Sequence, residues 1–229
     1  MPGRRISSTL RLFAAGILLA AAILRAQAPT AASLAKKVDD HYNHLNSLQA
    51  HYTERYTGMG LDRTESGTLL LKKPGRMRWS YESPASGESK AKPTGKLFLL
   101  DGKFAWFYNP GDAQAQKAPA KQLDDLRSPL RFLLGHTQLQ KELDNLTLTS
   151  DGPAFRLAGV PKGMHQRIKS LTLTVSPDGV IQGIRIEETD GAATEFTFTS
   201  MQENLPIASS DFVFTPPTGV AVIEGLPPI

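Results

Sequence analysis

The chain has 229 residues, 40% of them hydrophobic and 21% charged, with 19 Gly, 16 Pro and no Cys. This is globular composition, and it excludes a disulfide scaffold, a thiolate zinc site, a Cys nucleophile and a lipid-modified N-terminal Cys. The formal charge of +4 does not mark a nucleic-acid partner. Arg4, Arg5, Arg11 and Arg25 all precede the first acidic residue, Asp39, and residues 29–229 carry equal numbers of basic and acidic side chains.

Residues 1–28 have the pattern of a signal peptide. Arg4, Arg5 and Arg11 form a basic region, Leu12 to Leu24 an apolar one, and Ala26 and Ala28 offer a small-x-small cleavage site. Pro29 disfavours cleavage after Ala28, so cutting after Ala26 or Ala32 stays open. The apolar run is shorter than the roughly 20 residues of a membrane span, and no later segment approaches that length. The expectation is an exported protein, soluble once the signal is removed, with residues 29–229 forming one domain.

Beyond the signal, Leu34, Val38, Tyr42 and Leu45 recur at helical spacing, with Ser33 placed to cap the start. From Leu48 the apolar period falls to two. Strands are expected near 48–57, 64–72, 76–82, 96–100, 103–109, 113–118, 145–149, 153–158, 167–176, 179–189 and 194–200. Asp101-Gly102 and Pro177-Asp178-Gly179 mark hairpin turns. One short apolar helix interrupts them at Ser128 to Gly135, which has a cap residue, Pro129 in its first turn and Gly at its end. Met77, Trp79 and Tyr81 share one strand face, and Arg76, Arg78 and Ser80 the other; Phe104, Trp106 and Tyr108 share a face, as do Leu69 and Leu71. An antiparallel sheet with a bulky apolar face and two short covering helices makes either a filled core or a space lined for an apolar ligand. Periodicity alone leaves both open.

Other constellations are weak. His41, His44 and His51, near Asp39 and Asp40, lack the convergent spacing of a metal site. Glu187 and Glu188 are adjacent on a strand and point to opposite faces, which spoils them as an acid and base pair. No phosphate loop, nucleophile elbow, zinc-protease helix or dinucleotide fingerprint occurs. No enzyme activity, cofactor or metal is expected.

Four stretches, taken in order, resemble the periplasmic lipoprotein carriers (the LolA-like family). Leu70-Leu71-Lys72-Lys73-Pro74-Gly75-Arg76-Met77-Arg78-Trp79 is similar to that family's strand, basic-Pro turn and Trp-bearing strand. Leu100 to Pro110 is similar to its hairpin, Thr174 to Ile181 to a later hairpin, and Asp211 to Val220 to its C-terminal signature. The resemblance implies a mainly β fold with helices (α+β): an incomplete antiparallel β-barrel of about eleven strands covered by a short helical lid. It also implies a monomeric periplasmic carrier for acylated lipoproteins, loaded by an inner-membrane ABC lipoprotein-releasing complex and emptied into an outer-membrane acceptor, with no nucleic-acid partner. The basic residue before the Pro, Lys73 here where the family usually has Arg, is implied as a latch on backbone carbonyls of the lid. Lining candidates are Leu69, Leu71, Met77, Trp79, Tyr81, Phe98, Trp106 and Tyr108 on the sheet, and Leu130, Phe132, Leu133 and Leu134 on the lid. On this expectation Trp79→Glu abolishes loading with the fold intact, and Lys73→Leu alters release. The alternative is a lipid- or lipoprotein-sensing domain of the same fold.

Overall fold

Thr30, not Ser33, opens the first helix in the computed structural model, which describes residues 28–83, 92–122 and 138–225. Helix α1 spans Ala31–His44. Thr30 Oγ1 accepts from Ser33 N at 3.1 Å and Ser33 Oγ accepts from Thr30 N at 2.9 Å. Ser33 is therefore the reciprocal member of a capping box rather than the cap itself. The 3.6-residue period works as expected: Leu34, Ala35, Val38 and Tyr42 are buried along one face.

The remainder is a twelve-stranded sheet, with β1 (Ser47–Gly58), β2 (Leu61–Lys72), β3 (Arg76–Glu82), β4 (Pro93–Asp101), β5 (Phe104–Tyr108), β6 (Gln114–Pro119), a four-residue helix α2 (Leu139–Glu142), β7 (Leu143–Asp151), β8 (Ala154–Pro161), β9 (Ile168–Val175), β10 (Ile181–Glu188), β11 (Ala193–Glu203) and β12 (Ala221–Glu224). Their order is β12-β6-β5-β4-β3-β2-β1-β11-β10-β9-β8-β7. Two antiparallel meanders, β1 to β6 and β7 to β11, are joined through the β1–β11 pair, which runs from Leu48↔Glu203 to Thr57↔Ala193. The eleven expected strands are present. The twelfth, four exposed residues lying parallel to β6, carries no alternation from which to foresee it. The sheet stays open, an incomplete barrel with α1 over its apolar side. The expected signal peptide and the lid helix with Leu130, Phe132, Leu133 and Leu134 lie outside the described residues.

Turn chemistry fixes which side chains face inward. β1 and β2 meet through Met59 and Gly60, both at positive φ (51° and 77°), the two-residue turn whose twist matches the strands. Between β4 and β5 the loop is Gly102-Lys103, so Leu100 opposes Ala105 and Phe98 opposes Phe107. Asp101 secures this turn, accepting from Lys103 N at 2.8 Å, Phe104 N at 2.7 Å and Trp106 Nε1 at 3.1 Å. Burial works to raise the Asp101 carboxyl, but these donors outweigh it and hold it below the usual carboxylate range.

The first meander buries apolar residues on both of its faces. On the inner face Leu69, Leu71, Met77 and Trp79 join Ala50, Tyr52, Phe196 and Phe198 in one core with the buried face of α1, which itself lies nearest α2, β7 and β8. The outer face of β2, β4 and β5 packs Leu70, Leu97, Leu99, Trp106 and Tyr108 against Leu205, Ile207, Phe212 and Phe214 of the C-terminal segment. That segment is held by side chains on its carbonyls: Ser47 Oγ to Leu205 O at 2.6 Å, Lys72 Nζ to Ile207 O at 2.5 Å and Arg78 Nη1 to Asp211 O at 2.9 Å. Arg78 is thus on the face opposite Trp79, as alternation requires, yet that face is not simply wet.

Candidate functional site

The apolar inner face and the helix across it form the candidate site. Leu69 and Leu71 on β2 oppose Trp79 and Met77 on β3, and those in turn oppose Phe98 and Leu100 on β4. The structure brings Leu69, Leu71, Met77, Trp79, Tyr81 and Phe98 together on this face, the last two partly buried. Trp106 and Tyr108 are corrected: they stand on the outer face, their rings 5.6 and 5.3 Å from that of Phe214. A two-residue hairpin loop pairs even with odd residue numbers, so Phe98 and Trp106 could not share a face. Ala105 and Phe107 take the inward positions instead.

Four of the sheet candidates are buried in this state, while Tyr81 and Phe98 are partly exposed. Trp79 is 2% exposed, with its ring centroid 4.6 Å from Tyr52, 5.3 Å from Phe196 and 6.1 Å from Phe198. Its indole N–H points at Met77 Sδ, 2.9 Å away. Leu69, Leu71 and Met77 are equally enclosed. The second meander supplies the other half of the face through Leu157, Leu171, Leu173, Ile184, Phe196 and Phe198. Sequence reasoning omitted these, although the period-two runs Leu171-Leu173-Val175 and Phe196-Phe198 carry the signal.

Polar ties to two turns, two strand ends and α2 hold α1 in place. Lys73, in the β2–β3 turn, donates from Nζ to the carbonyls of Tyr42 and Asn43, the latter at 3.1 Å. A cation on the last-turn carbonyls suits the negative end of the helix. Burial holds the Lys73 ammonium below the usual lysine range, so lost hydration offsets part of this gain. Lys37 Nζ reaches Pro177 O at 2.8 Å in the β9–β10 turn. Gly179 lets that turn approach, since a Cβ there would lie 2.8 Å from the Lys37 carbonyl. His41 Nε2 meets Glu203 Oε1 at 2.8 Å, and the buried Tyr42 hydroxyl accepts from Ile181 N at 3.1 Å. Burial first, then the charge of Glu203, push the Tyr42 phenol up, so it stays neutral.

Asp39 on α1 accepts from Leu139 N through both carboxylate oxygens at 3.1 Å, capping α2, whose own preceding residue Gln138 makes no side-chain cap. Asp39→Ala should lower stability by about 1 kcal/mol and loosen α2 first. Hydrogen exchange of the Leu139 amide checks it: unchanged protection would contradict a capping role.

His41 and His44 each have a partner within the chain. His41 faces Glu203, and His44 Nδ1 lies 2.7 Å from Asp40 O. Among the described residues no three His, Cys, Asp or Glu side chains gather where an ion could sit. Glu187 pairs with Lys169 at 2.6 Å, a surface ion pair.

Residues 43–215 match the family model for the outer membrane lipoprotein carrier protein LolA. The chain belongs to the LolA family. An outer-membrane lipoprotein carrier protein from Proteus mirabilis is 31% identical over 182 residues, 79% of this chain and 83% of that protein. One from Sodalis glossinidius is 30% identical over 206 residues, 89% and 93% of the two chains. An uncharacterized conserved protein from Thermus thermophilus shares the fold at 12% identity, with a TM-score of 0.52 over 84% of this chain and 97% of that one. These LolA relatives are named as carriers, and no described helix here is long and apolar enough to cross a membrane.

Proposed function

We propose that this LolA-family protein is a periplasmic carrier that shelters the acyl chains of lipoproteins between its inner sheet face and α1. On this reading it receives them from an inner-membrane ABC complex and yields them to an outer-membrane acceptor. The observation that supports it most is how α1 is bound: it sets the apolar stripe Leu34, Ala35, Val38 and Tyr42 into the core, and its polar ties go to turns, strand ends and α2 rather than to rungs of the ladder. Such a helix moves away without breaking a sheet ladder. Lys73 is the latch in this scheme, and acyl chains take the place of the contacts that α1 gives up.

The magnitudes suit transfer. Each methylene hidden from water contributes about 0.8 kcal/mol, so a long acyl chain exposed to water costs on the order of 10 kcal/mol. A closed, self-packed resting state reduces the net gain on loading, because internal contacts are lost as the ligand arrives, and this favours release to a better acceptor. Native mass spectrometry of periplasmic protein, with and without delipidation, tests the reading. Adducts of lipoprotein mass that vanish on delipidation are expected. Protein free of acylated ligand under conditions that retain it on a control carrier would overturn the reading.

A further inference from the structure

We infer that the β1–β2 turn, Met59-Gly60-Leu61, is a contact point with the surface of a lipid bilayer. Met59 is 88% exposed and Leu61 65%, the two most exposed large apolar side chains among the described residues. Exposure alone is ordinary, because single apolar side chains are common on protein surfaces. What sets Met59 apart is that its backbone is strained as well, with φ at 51° in the left-handed region that side chains avoid. The other non-glycine residues at positive φ are Asn145, Asn204 and Ser200, all small and polar. A two-residue turn of this kind asks for Asn or Asp before the Gly, which is both better hydrated and less strained. The β10–β11 turn at the same end of the sheet is built in that ordinary way: Gly191 takes the positive φ, and Asp190 Oδ1 accepts from Ala192 N at 2.9 Å. A residue that is unfavourable both in its exposure and in its backbone points to a function at that position.

The turn stands clear of the body. β1 is anchored as far as Gly58, where a Cβ would lie 2.7 Å from that of Ala192, whereas a Cβ on Gly60 would meet nothing within 4 Å. It lies at the opposite end of the strands from the β2–β3 and β9–β10 turns that hold α1. Leu61 has the strand parity of Leu69 and Leu71, so the tip continues the inner face at the end away from α1. A bilayer suits this tip better than a folded partner. Two side chains on a convex turn cover far less than the roughly 800 Å² per partner of a stable protein interface, and fit a shallow, reversible dip into lipid. Residues 56–61 carry no charge. The flanking charges are paired, Arg55 with Asp62 at 3.0 and 2.6 Å and Arg63 with Glu65 at 3.3 Å. Half-buried Tyr56 sits behind the tip, an amphipathic ring of the kind suited to the headgroup level. The contact is therefore apolar and insensitive to salt. It does not depend on the acyl-binding reading; together the two bring the inner face up to the membrane that gives or takes the ligand.

Flotation with vesicles of phosphatidylethanolamine and phosphatidylglycerol, without acyl ligand, tests the contact. Native protein should float in low and high salt alike, and Met59→Asp and Leu61→Asp should each lower partitioning about tenfold. Met59→Asn gives the sharper result: by relieving the turn it should raise the melting temperature, and by removing the apolar side chain it should lower partitioning about tenfold as well. Met59→Trp reports depth. Its added emission, measured against native protein with Trp79 and Trp106 alone, should shift to the blue on vesicles and be quenched by lipids brominated near the headgroup. Equal partitioning of native protein and both Asp variants overturns the inference. So does native protein that stays off the vesicles, which leaves a protein acceptor as the occupant of the tip. Binding that is lost in high salt overturns it too, because the contact is then ionic. None of these results alters the acyl reading, which native mass spectrometry reads separately.

Discussion

Trp79→Glu is expected to unfold the protein at neutral pH rather than leave a folded carrier that fails to load. The indole is enclosed by Tyr52, Phe196, Phe198 and Met77. Truncating a buried Trp costs about 3–5 kcal/mol before any charge is considered. A carboxylate in the same place adds the cost of burying a charge. The total approaches the roughly 5–15 kcal/mol that holds a typical domain together. The sign of the pH effect is distinctive. Burial raises the introduced carboxyl above its unfolded value of about 4.3. The variant therefore keeps its residual stability below that value and loses it as pH rises through the raised one. Urea unfolding at pH 4.5 and pH 8, each referred to native protein, should show the variant folded with a lowered midpoint at the acid pH and largely unfolded at the other. An unfolding free energy within about 1 kcal/mol of native at both would mean that Trp79 faces open space after all. Trp79→Phe, which keeps an aromatic ring in place, should remain folded throughout.

The same enclosure shows where the sequence stops informing. Strand positions were legible because each carries its own period-two pattern and its own turn residues, down to Gly102 and Gly179. Face membership within β3 was legible too, since Met77, Trp79 and Tyr81 differ so plainly from Arg76, Arg78 and Ser80. What alternation does not give is how one strand's face maps to the next. That is set by loop length, and the two-residue loop at Gly102-Lys103 sends Trp106 and Tyr108 outward. Their outer location also depends on the C-terminal segment around Phe212 and Phe214, a tertiary partner about 100 residues away that no local pattern announces. The polar ties of α1 are illegible for the same reason: Lys73 to Tyr42, His41 to Glu203 and Asp39 to Leu139 all join residues distant in the chain. Whether an apolar face is filled or vacant is a property of packing, not of composition. Tyr52, Phe196 and Phe198 fill it around Trp79 here.

Lys73→Leu should speed release of an acyl ligand about tenfold and leave the sheet intact. Its ammonium is the link between the β2–β3 turn and the last turn of α1, donating to two successive carbonyls, Tyr42 and Asn43. A charge-assisted hydrogen bond contributes about 1.5–3 kcal/mol when well formed. Partial exposure and the lost hydration that depresses the Lys73 ammonium reduce the pair to about 1–2 kcal/mol, and 1.4 kcal/mol is a factor of ten in the open population. The expected result is faster hydrogen exchange confined to α1 amides, with unchanged exchange in β1, β2 and β11, and a matching rise in the dissociation rate of a fluorescent fatty acid. Lys73→Arg should act in the opposite direction, because a planar guanidinium presents several donors at once and addresses both carbonyls with less loss of freedom. Equal α1 exchange in all three proteins would remove the latch. Exchange that rises across the whole sheet would show instead that Lys73 stabilises the fold at large, leaving α1 no freedom of its own to open.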